Sequence, residues 1–343
     1  MKITVVGLDL AKNVFHAICC NQQGKVIKKK MLKRPELLGF FTQIESCLVG
    51  MEACASAYYW ARELKALGHT VKLIPAQHVK AFLRGNKNDY NDALAISEAV
   101  VRPEMRFVAI KTVEQQDIQA LHRLRSLCIK ERTALSNQLR ALLAEYGIVF
   151  PKGIATLRRQ LARIQYDEQS PLTAFFKLSL ARGYAQLQQL EEYISAYTKT
   201  LEQHVKALEA CQHLKTIPGY GSIVASAFYT EVGNGAAYRR GRDVSASLGL
   251  VPRQHSTGGK ENLLGISKRG NGYLRSLLVH GARSVVNQAK RKEDKLSVWI
   301  NHIRLTRGYN KATVALANKM ARMGWAVLKN NTVYQPTFNL ALD

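Results

Sequence analysis

The sequence lacks the features of a membrane protein. It contains no apolar run of about 18 residues, the length that a spanning helix needs, and no amphipathic basic terminus. The first residues, MKITVVGLDL, resemble a β-strand rather than a signal peptide, so export is not expected. No repeat of fixed period and no low-complexity tract is found. These absences leave a globular protein without a membrane partner as the prediction.

Cysteine motifs for metal or redox chemistry are also missing. The chain has six cysteines, at positions 19, 20, 47, 54, 128 and 211. None forms a CxxC pair or stands at zinc-site spacing with histidine. Because most lie in apolar sequence, they are predicted to be buried free thiols in a reducing cytoplasm.

Acidic residues are scarce. The 343 residues include 25 Asp and Glu against 50 Lys and Arg, which gives a net charge of +25 and a pI of about 9.9. The bias is strongest between Arg253 and Lys329, where 16 basic residues face three acids. Such an excess favours a polyanionic partner, and nucleic acid is the most common one.

Residues 1–110 alternate strand and helix patterns. Strands are predicted at 3–10, 14–20, 24–30, 47–51 and 71–75, and helices at 35–44, 58–68 and 92–101. The order βββαβαβα, beginning with an antiparallel meander, is that of the ribonuclease H-like fold. The predicted class is therefore α/β with a mixed sheet.

The rest of the chain is predicted to be mainly helical. Residues 112–146 and 156–210 have a helical period, and form either a coiled-coil arm or a helical hairpin packed on the body. We predict three domains: residues 1–110, a helical region at 111–210, and a basic C-terminal domain at 211–343. In the last, residues 214–233 have the pattern of a helix-hairpin-helix, whose Gly219 and Gly221 would contact a nucleic-acid backbone.

Four acids stand at positions typical of a metal site. Asp9 closes an apolar strand, Glu52 follows another, and Asp89 and Asp92 share one face at the start of a helix. Taken singly, each has an ordinary explanation, such as a solvated strand end or the helix dipole. Together they form the set that holds two divalent metals in ribonuclease H-like enzymes, and oxygen ligands suit Mg²⁺ or Mn²⁺.

Two further interpretations concern the same segment. Arg84 and Lys87, close to these aspartates in sequence, are predicted to contact a nucleic-acid backbone. An actin-like or sugar-kinase ATPase shares the topology and the GLDL start. That alternative requires a second phosphate loop, which the sequence does not contain downstream.

A hydroxyl pair, Ser256 and Thr257, precedes Gly258, Gly259 and Lys260 in the segment QHSTGGK. A glycine-rich backbone could place a hydroxyl against phosphorus, with nearby cations offsetting charge on the phosphoryl oxygens. An ordinary polar loop or a phosphate-binding turn has the same composition. The residues predicted to contact nucleic acid in this half are Arg253, Lys260, Lys268, Arg269 and Arg275.

The motifs together resemble a known family, the DEDD transposases of bacterial insertion sequences, which are RNA-guided serine recombinases. GLDLAKNVFHAI, GMEACASAYYWARELKALGH, IPAQHVKAF and KNDYNDALAISEA resemble its N-terminal domain. IPGYGSIVASAFYTEVG, ASLGLVPRQHSTGGKENLLGISKRGNGYLRSLL and NKATVALANKMARMGWAVLK resemble its C-terminal domain. The resemblance covers nearly the whole chain and is greatest to the subgroup with the QHS-GGK signature.

The resemblance implies a RuvC-like domain with Asp9, Glu52, Asp89 and Asp92 as metal ligands, a coiled-coil arm and a transposase domain with a nucleophilic serine. It further implies donor and target DNA as substrates, a structured non-coding guide RNA and a dimer or tetramer in the bacterial cytoplasm, associated with the nucleoid. In related enzymes the two active regions come from different protomers. Base pairing with the guide RNA would supply sequence choice.

The sequence departs from the family at the nucleophile. Counted from Pro252, the family's serine falls on Thr257, with Ser256 directly before it. Serine is the less hindered attacker, which favours Ser256 narrowly. The alternative function is a metal-dependent junction resolvase or nuclease, in which water attacks and no covalent intermediate forms. A non-catalytic nucleic-acid scaffold is a third hypothesis.

Overall fold

The computed structural model describes residues 2–84 and 88–336. The chain divides into two compact units, Met1–Thr112 and Val113–Asp343. Across the described residues, no helix combines the length and the apolar composition needed to cross a bilayer.

The first unit is built on a five-stranded mixed sheet. Its strands and helices are β1 (Val5–Leu10), β2 (Val14–Cys20), β3 (Val26–Lys33), α1 (Glu36–Thr42), β4 (Leu48–Glu52), α2 (Ala57–Ala66), β5 (Thr70–Ile74), α3 (Ala76–Val79) and α4 (Asp89–Val100). The strand order is β3-β2-β1-β4-β5. The meander β1-β2-β3 is antiparallel, whereas β4 and β5 run parallel to β1. The predicted mixed α/β sheet is confirmed.

Helix α4 begins three residues earlier than predicted. The side chain of Asn88 accepts a hydrogen bond of 2.9 Å from the backbone N–H of Tyr90 and so caps the helix. Asp89 and Asp92 therefore both lie in the first turn of α4.

Alternate strand residues of this sheet supply two hydrophobic layers. On one face, Leu8 and Phe15 pack in a cluster with Trp60 of α2. On the other, α4 covers the sheet through a smaller set of buried side chains, including Ile96. The predicted free thiols are confirmed, because all six cysteines are unpaired; five are buried and Cys54 is half-buried.

Two adjacent glycines let α4 approach the sheet closely. Gly7 of β1 and Gly50 of β4 are register partners. A Cβ at Gly7 would stand 2.7 Å from the Cβ of Ser97, and one at Gly50 would stand 2.8 Å from the Cβ of Val100. Real Cβ atoms do not approach this closely, so α4 can pack at this distance from the strands only because both positions are glycine.

The second unit is mainly helical. Its elements are α5 (Val113–Ala144), α6 (Ile154–Ile164), α7 (Ala174–Ala207), α8 (Glu209–Lys215), α9 (Ser222–Val232), α10 (Gly241–Ser247), β6 (Pro252–Gln254), β7 (Leu263–Ile266), α11 (Gly272–Ala289), α12 (Lys295–Arg307) and α13 (Tyr309–Asn330). Helices α5 and α7 pack along each other, and α6 joins them in one hydrophobic cluster. A larger cluster around Phe228, Leu278 and Met320 holds the C-terminal helices together. The hairpin of β6 and β7 was not predicted.

Candidate active site

Three carboxylates converge at one edge of the sheet in the first unit. One oxygen each from Asp9, Asp89 and Asp92 lie within 4.8 Å of one another. Asp9 is half-buried near the end of β1, and the two helical aspartates lie over it from the first turn of α4. Among the described residues, no other three Asp, Glu, His or Cys side chains converge in this way.

Glu52, the fourth predicted ligand, lies beside this group and outside it. Glu52 is the last residue of β4. It follows Met51, whose partner on the parallel strand β1 is Leu8, the residue before Asp9. The negative charge of Glu52 raises the pKa of Asp9, so the four acids share one electrostatic environment.

The carboxylates of the cluster repel one another. The pKa of Asp9 is raised from an ordinary 3.8 to about 6, chiefly by burial and then by the charges of Asp92, Asp89 and Glu52, in that order. Burial and like charge both disfavour the ionised carboxylate. A bound divalent ion would remove the repulsion, and an all-carboxylate donor set suits Mg²⁺ or Mn²⁺. The residues therefore fit the predicted metals.

His16 is a site residue that the sequence interpretation missed. It lies on β2 as the antiparallel partner of Asp9. Its Nδ1 is 3.6 Å from Oδ2 of Asp89, and its side chain is 12% exposed. The ring of Tyr90 packs edge-on against the imidazole at 4.7 Å. The signal was available, because the predicted meander with its short turn places position 16 opposite position 9.

The predicted hydroxyl pair lies in the second unit, on the hairpin of β6 and β7. Residues 252–265 are all exposed. Thr257 and Lys260 form an isolated bridge across Gly258 and Gly259, whose φ angles are 55° and 75°. Two positive φ angles in a two-residue turn are typical of a type I′ hairpin and explain the glycine pair. Ser256 Oγ accepts a hydrogen bond of 2.9 Å from Gln254 Nε2.

Most of the predicted basic contacts of the hairpin face solvent. Arg253, Lys260, Lys268 and Arg269 are exposed. The guanidinium of Arg275 instead donates to the backbone carbonyls of Leu248 and Arg269, at 2.9 and 2.8 Å. Part of its hydrogen-bonding capacity therefore serves the fold.

The remaining predicted contacts lie elsewhere. Arg84 is exposed and donates to the carboxylate of Glu98 at 3.3 Å. Lys87 lies outside the described residues. Gly221 is exposed, with open space where a side chain would project. Gly219 faces the backbone of Gly281 in α11, so close packing within the unit is sufficient to explain this glycine.

The sequence is similar to that of known transposases. Residues 6–148 match the model of the DEDD transposases of IS110 type, described as a transposase, and residues 211–296 match the Transposase IS116/IS110/IS902 family. A probable family 20 transposase of Pseudomonas aeruginosa is 45% identical over 98% of this chain and 100% of its own. The transposase for insertion sequence element IS1111A of Coxiella burnetii is 44% identical, over 97% and 92% of the two chains. That of element IS1328 of Yersinia enterocolitica is 43% identical, over 97% and 98%.

A mixed sheet with clustered aspartates and these matches define a transposase, the class of enzyme that cuts and rejoins DNA. The chain belongs to the IS116/IS110/IS902 family of insertion-sequence transposases. The resemblance inferred from the motifs is confirmed, and a possible metal-binding cluster lies in its DEDD region.

Proposed function

We propose that this transposase moves its insertion sequence as an RNA-guided recombinase, through a covalent hydroxyl–DNA intermediate. The observation that carries the proposal is the convergence of Asp9, Asp89 and Asp92 within 4.8 Å, with Glu52 beside them. These four residues would hold two Mg²⁺ or Mn²⁺ ions. When bound, such ions neutralise charge on the attacking and leaving oxygens of a phosphodiester.

The attacking group in this proposal is the hydroxyl of Ser256 or Thr257. Its oxygen bonds to phosphorus, the bond from phosphorus to one sugar oxygen breaks, and the hydroxyl proton leaves to solvent. The freed sugar oxygen takes up a proton. The phosphodiester is exchanged rather than hydrolysed, so a sugar hydroxyl from another strand can reverse the step and rejoin DNA. Ser256 is favoured because a primary alcohol is the less hindered nucleophile.

The other parts of the chain would have supporting roles. In the proposed division, residues 1–110 carry the metals, residues 111–210 form a coiled-coil arm for a dimer or tetramer, and residues 211–343 carry the nucleophile. Helices α8 and α9 would act as a helix-hairpin-helix with Gly219 and Gly221 at the DNA backbone. The net charge of +25 supports binding to both DNA and a structured guide RNA. The site of action would be the nucleoid in the bacterial cytoplasm.

Trapping on a suicide DNA substrate tests the covalent step. The substrate carries a nick next to the scissile phosphate, so the cut end diffuses away and the protein stays attached. We expect a protein–DNA adduct with Mg²⁺, lost in Asp92→Asn and in Ser256→Ala but kept in Thr257→Ala. Ser276→Ala, which removes another exposed serine of the same unit, is the matched control. Peptide mapping of the adduct identifies the attached residue.

Cleavage without any adduct would favour the alternative, a metal-dependent junction resolvase in which water attacks. An adduct that survives Ser256→Ala and disappears in Thr257→Ala would transfer the role to threonine. Guidance is tested separately, by purifying the protein from cells and sequencing the RNA it retains. The absence of RNA encoded by the element itself would contradict guidance without affecting the chemistry.

A further inference from the structure

A cavity of about 530 Å³ opens within the second unit, between one face of α5, helix α9 and the first turn of α11. This volume is in the range that small organic ligands occupy. The hairpin that carries the hydroxyl pair is followed in the chain by α11, which forms one wall of the cavity. Neither the metal cluster nor the hydroxyl pair lines it.

His122 lines the cavity and is held in a hydrogen-bond network with Ser226 and Tyr273. The hydroxyl of Ser226 donates to the carbonyl of Ser222, so it accepts a bond of 2.9 Å from Nε2 of His122. Nδ1 of His122 is then the acceptor for the hydroxyl of Tyr273, at 3.0 Å. The pKa of His122 is lowered from 6.5 to about 4, chiefly by burial and then by the charge of Arg125. The imidazole is therefore uncharged at neutral pH, and positive charge comes from the rim.

The rim carries two unpaired cations. Arg123 and Lys130 lie on the cavity face of α5, are exposed, and have no ion-pair partner among the described residues. No acidic side chain lines the cavity within the part of the chain that is described. Asn271 caps α11 and donates to Glu231, so that acid is already hydrogen-bonded. The N-terminus of the 18-residue helix α11 adds positive potential on the same side.

The remaining wall is mixed, with the uncharged polar side chains of Gln119, Ser126 and Thr230 beside apolar ones. Leu127 of α5 is 51% exposed there, and Leu274 and the ring of Tyr273 line the opposite side. A leucine with half of its surface in water on a concave wall is a favourable contact for a flat apolar ligand. The cavity thus offers a cationic rim and an interior of aromatic, aliphatic and uncharged polar groups. This arrangement matches one nucleotide, with its phosphate at the rim and its base, which has an apolar face and polar edges, inside.

We propose that this cavity binds a single unpaired nucleotide of a nucleic-acid strand, with its phosphate at Arg123 and Lys130 and its base against Leu127 and Tyr273. The proposal shares with the proposed function only the class of ligand, nucleic acid. It requires neither metal nor nucleophile, so its test is carried out in EDTA, where failure of the cutting mechanism cannot affect the result.

The test is equilibrium binding of the full-length protein to fluorescein-labelled duplexes, with and without a one-nucleotide bulge. DNA and RNA versions are compared, and the version with the larger preference for the bulge identifies the strand. We expect the bulged duplex to bind about tenfold more tightly than the paired one, which corresponds to ~1.4 kcal/mol, within the range of base stacking on an aromatic side chain.

Two variants make the assay specific. Ser126→Trp fills the cavity and is expected to abolish the preference while binding to the paired duplex stays unchanged. Arg123→Gln/Lys130→Gln alters only exposed side chains, so it is expected to fold, and should reduce binding of the bulged duplex about tenfold. Lys152→Gln/Arg159→Gln, with two exposed cations away from the cavity, is the matched control for charge.

Three outcomes would overturn the proposal. They are equal binding of bulged and paired duplexes by the wild-type protein, a preference that survives in both cavity variants, and an equal loss in the charge control. Thymidine monophosphate is added as a competitor. If it displaces the bulged duplex at comparable concentration, the ligand is a free nucleotide and not part of a strand.

Discussion

The clustered carboxylates should make the metal-free protein less stable than a variant in which one of them is replaced by an amide. We expect Asp9→Asn to raise the melting temperature in EDTA at pH 7.5, because the ionised side chain is half-buried among three other acids. The amide has nearly the same shape and needs no counter-ion. Loss of a metal ligand would thus stabilise the fold.

The magnitude follows from the pKa. A rise from 3.8 to about 6 corresponds to roughly 3 kcal/mol at ~1.36 kcal/mol per unit, and partial solvent exposure reduces this to about 1–2 kcal/mol. For a unit of this size the expected increase in melting temperature is roughly 4–8 °C. Since the folded pKa lies above the unfolded one, the penalty is complete above about pH 6. It disappears as the pH falls to 3.8, where both states bind the proton.

Differential scanning fluorimetry across pH, with and without Mg²⁺, checks this prediction. Mg²⁺ should raise the melting temperature of the wild-type protein and leave that of Asp9→Asn unchanged. Glu104→Gln, an exposed acid of the same unit, is the control and should change neither value. A variant that is less stable than wild type in EDTA at pH 7.5, or a difference that does not depend on pH, would refute the electrostatic argument.

Three other predictions concern single residues. Gly7→Ala should displace α4, which would lower the free energy of unfolding of the first unit by about 1–3 kcal/mol in urea denaturation and weaken Mg²⁺ binding. The control, Gly39→Ala, lies in open space on α1 and should be neutral or slightly stabilising. His16→Ala should lower Mg²⁺ affinity roughly tenfold by calorimetry, since outer partners of metal ligands have effects of this size; an unchanged affinity would leave the histidine a packing role only. His122 stays neutral in the folded protein down to about pH 4, whereas in the unfolded state it binds a proton at higher pH. The free energy of unfolding of the wild-type protein should therefore fall by about 2–3 kcal/mol from pH 7 to 4.5. A His122→Gln variant whose stability has the same pH dependence would contradict this.

The first unit could be predicted well because its signals are local. Alternating apolar residues gave the strands, and the antiparallel start of the meander gave the sheet class that β1 to β5 adopt. The acids at strand ends followed from the same pattern. His16 was missed because its role depends on register, which brings a β2 side chain opposite Asp9. Gly7 and Gly50 were missed because only the docked helix explains them.

The β6–β7 hairpin could not be predicted from a pattern of apolar residues. Both strands are short and almost entirely exposed, so they have no alternation of apolar and polar residues to detect. The dipeptide at 258 and 259 was the available signal, since two glycines between extended segments favour a type I′ turn. The cavity in the second unit could not be predicted either, because its walls come from α5, α9 and α11, which are distant in sequence.

The exposure of the hairpin tip has a consequence for when the enzyme can react. Nothing lies within 4 Å of the side-chain positions of its two glycines, and Ser256 and Thr257 beside them are exposed. Under the proposed mechanism, an exposed alcohol is a weak nucleophile until a base or a cation is positioned against it. On that proposal, a single free molecule would react slowly with DNA that it meets by chance, and full reactivity would require the assembled complex.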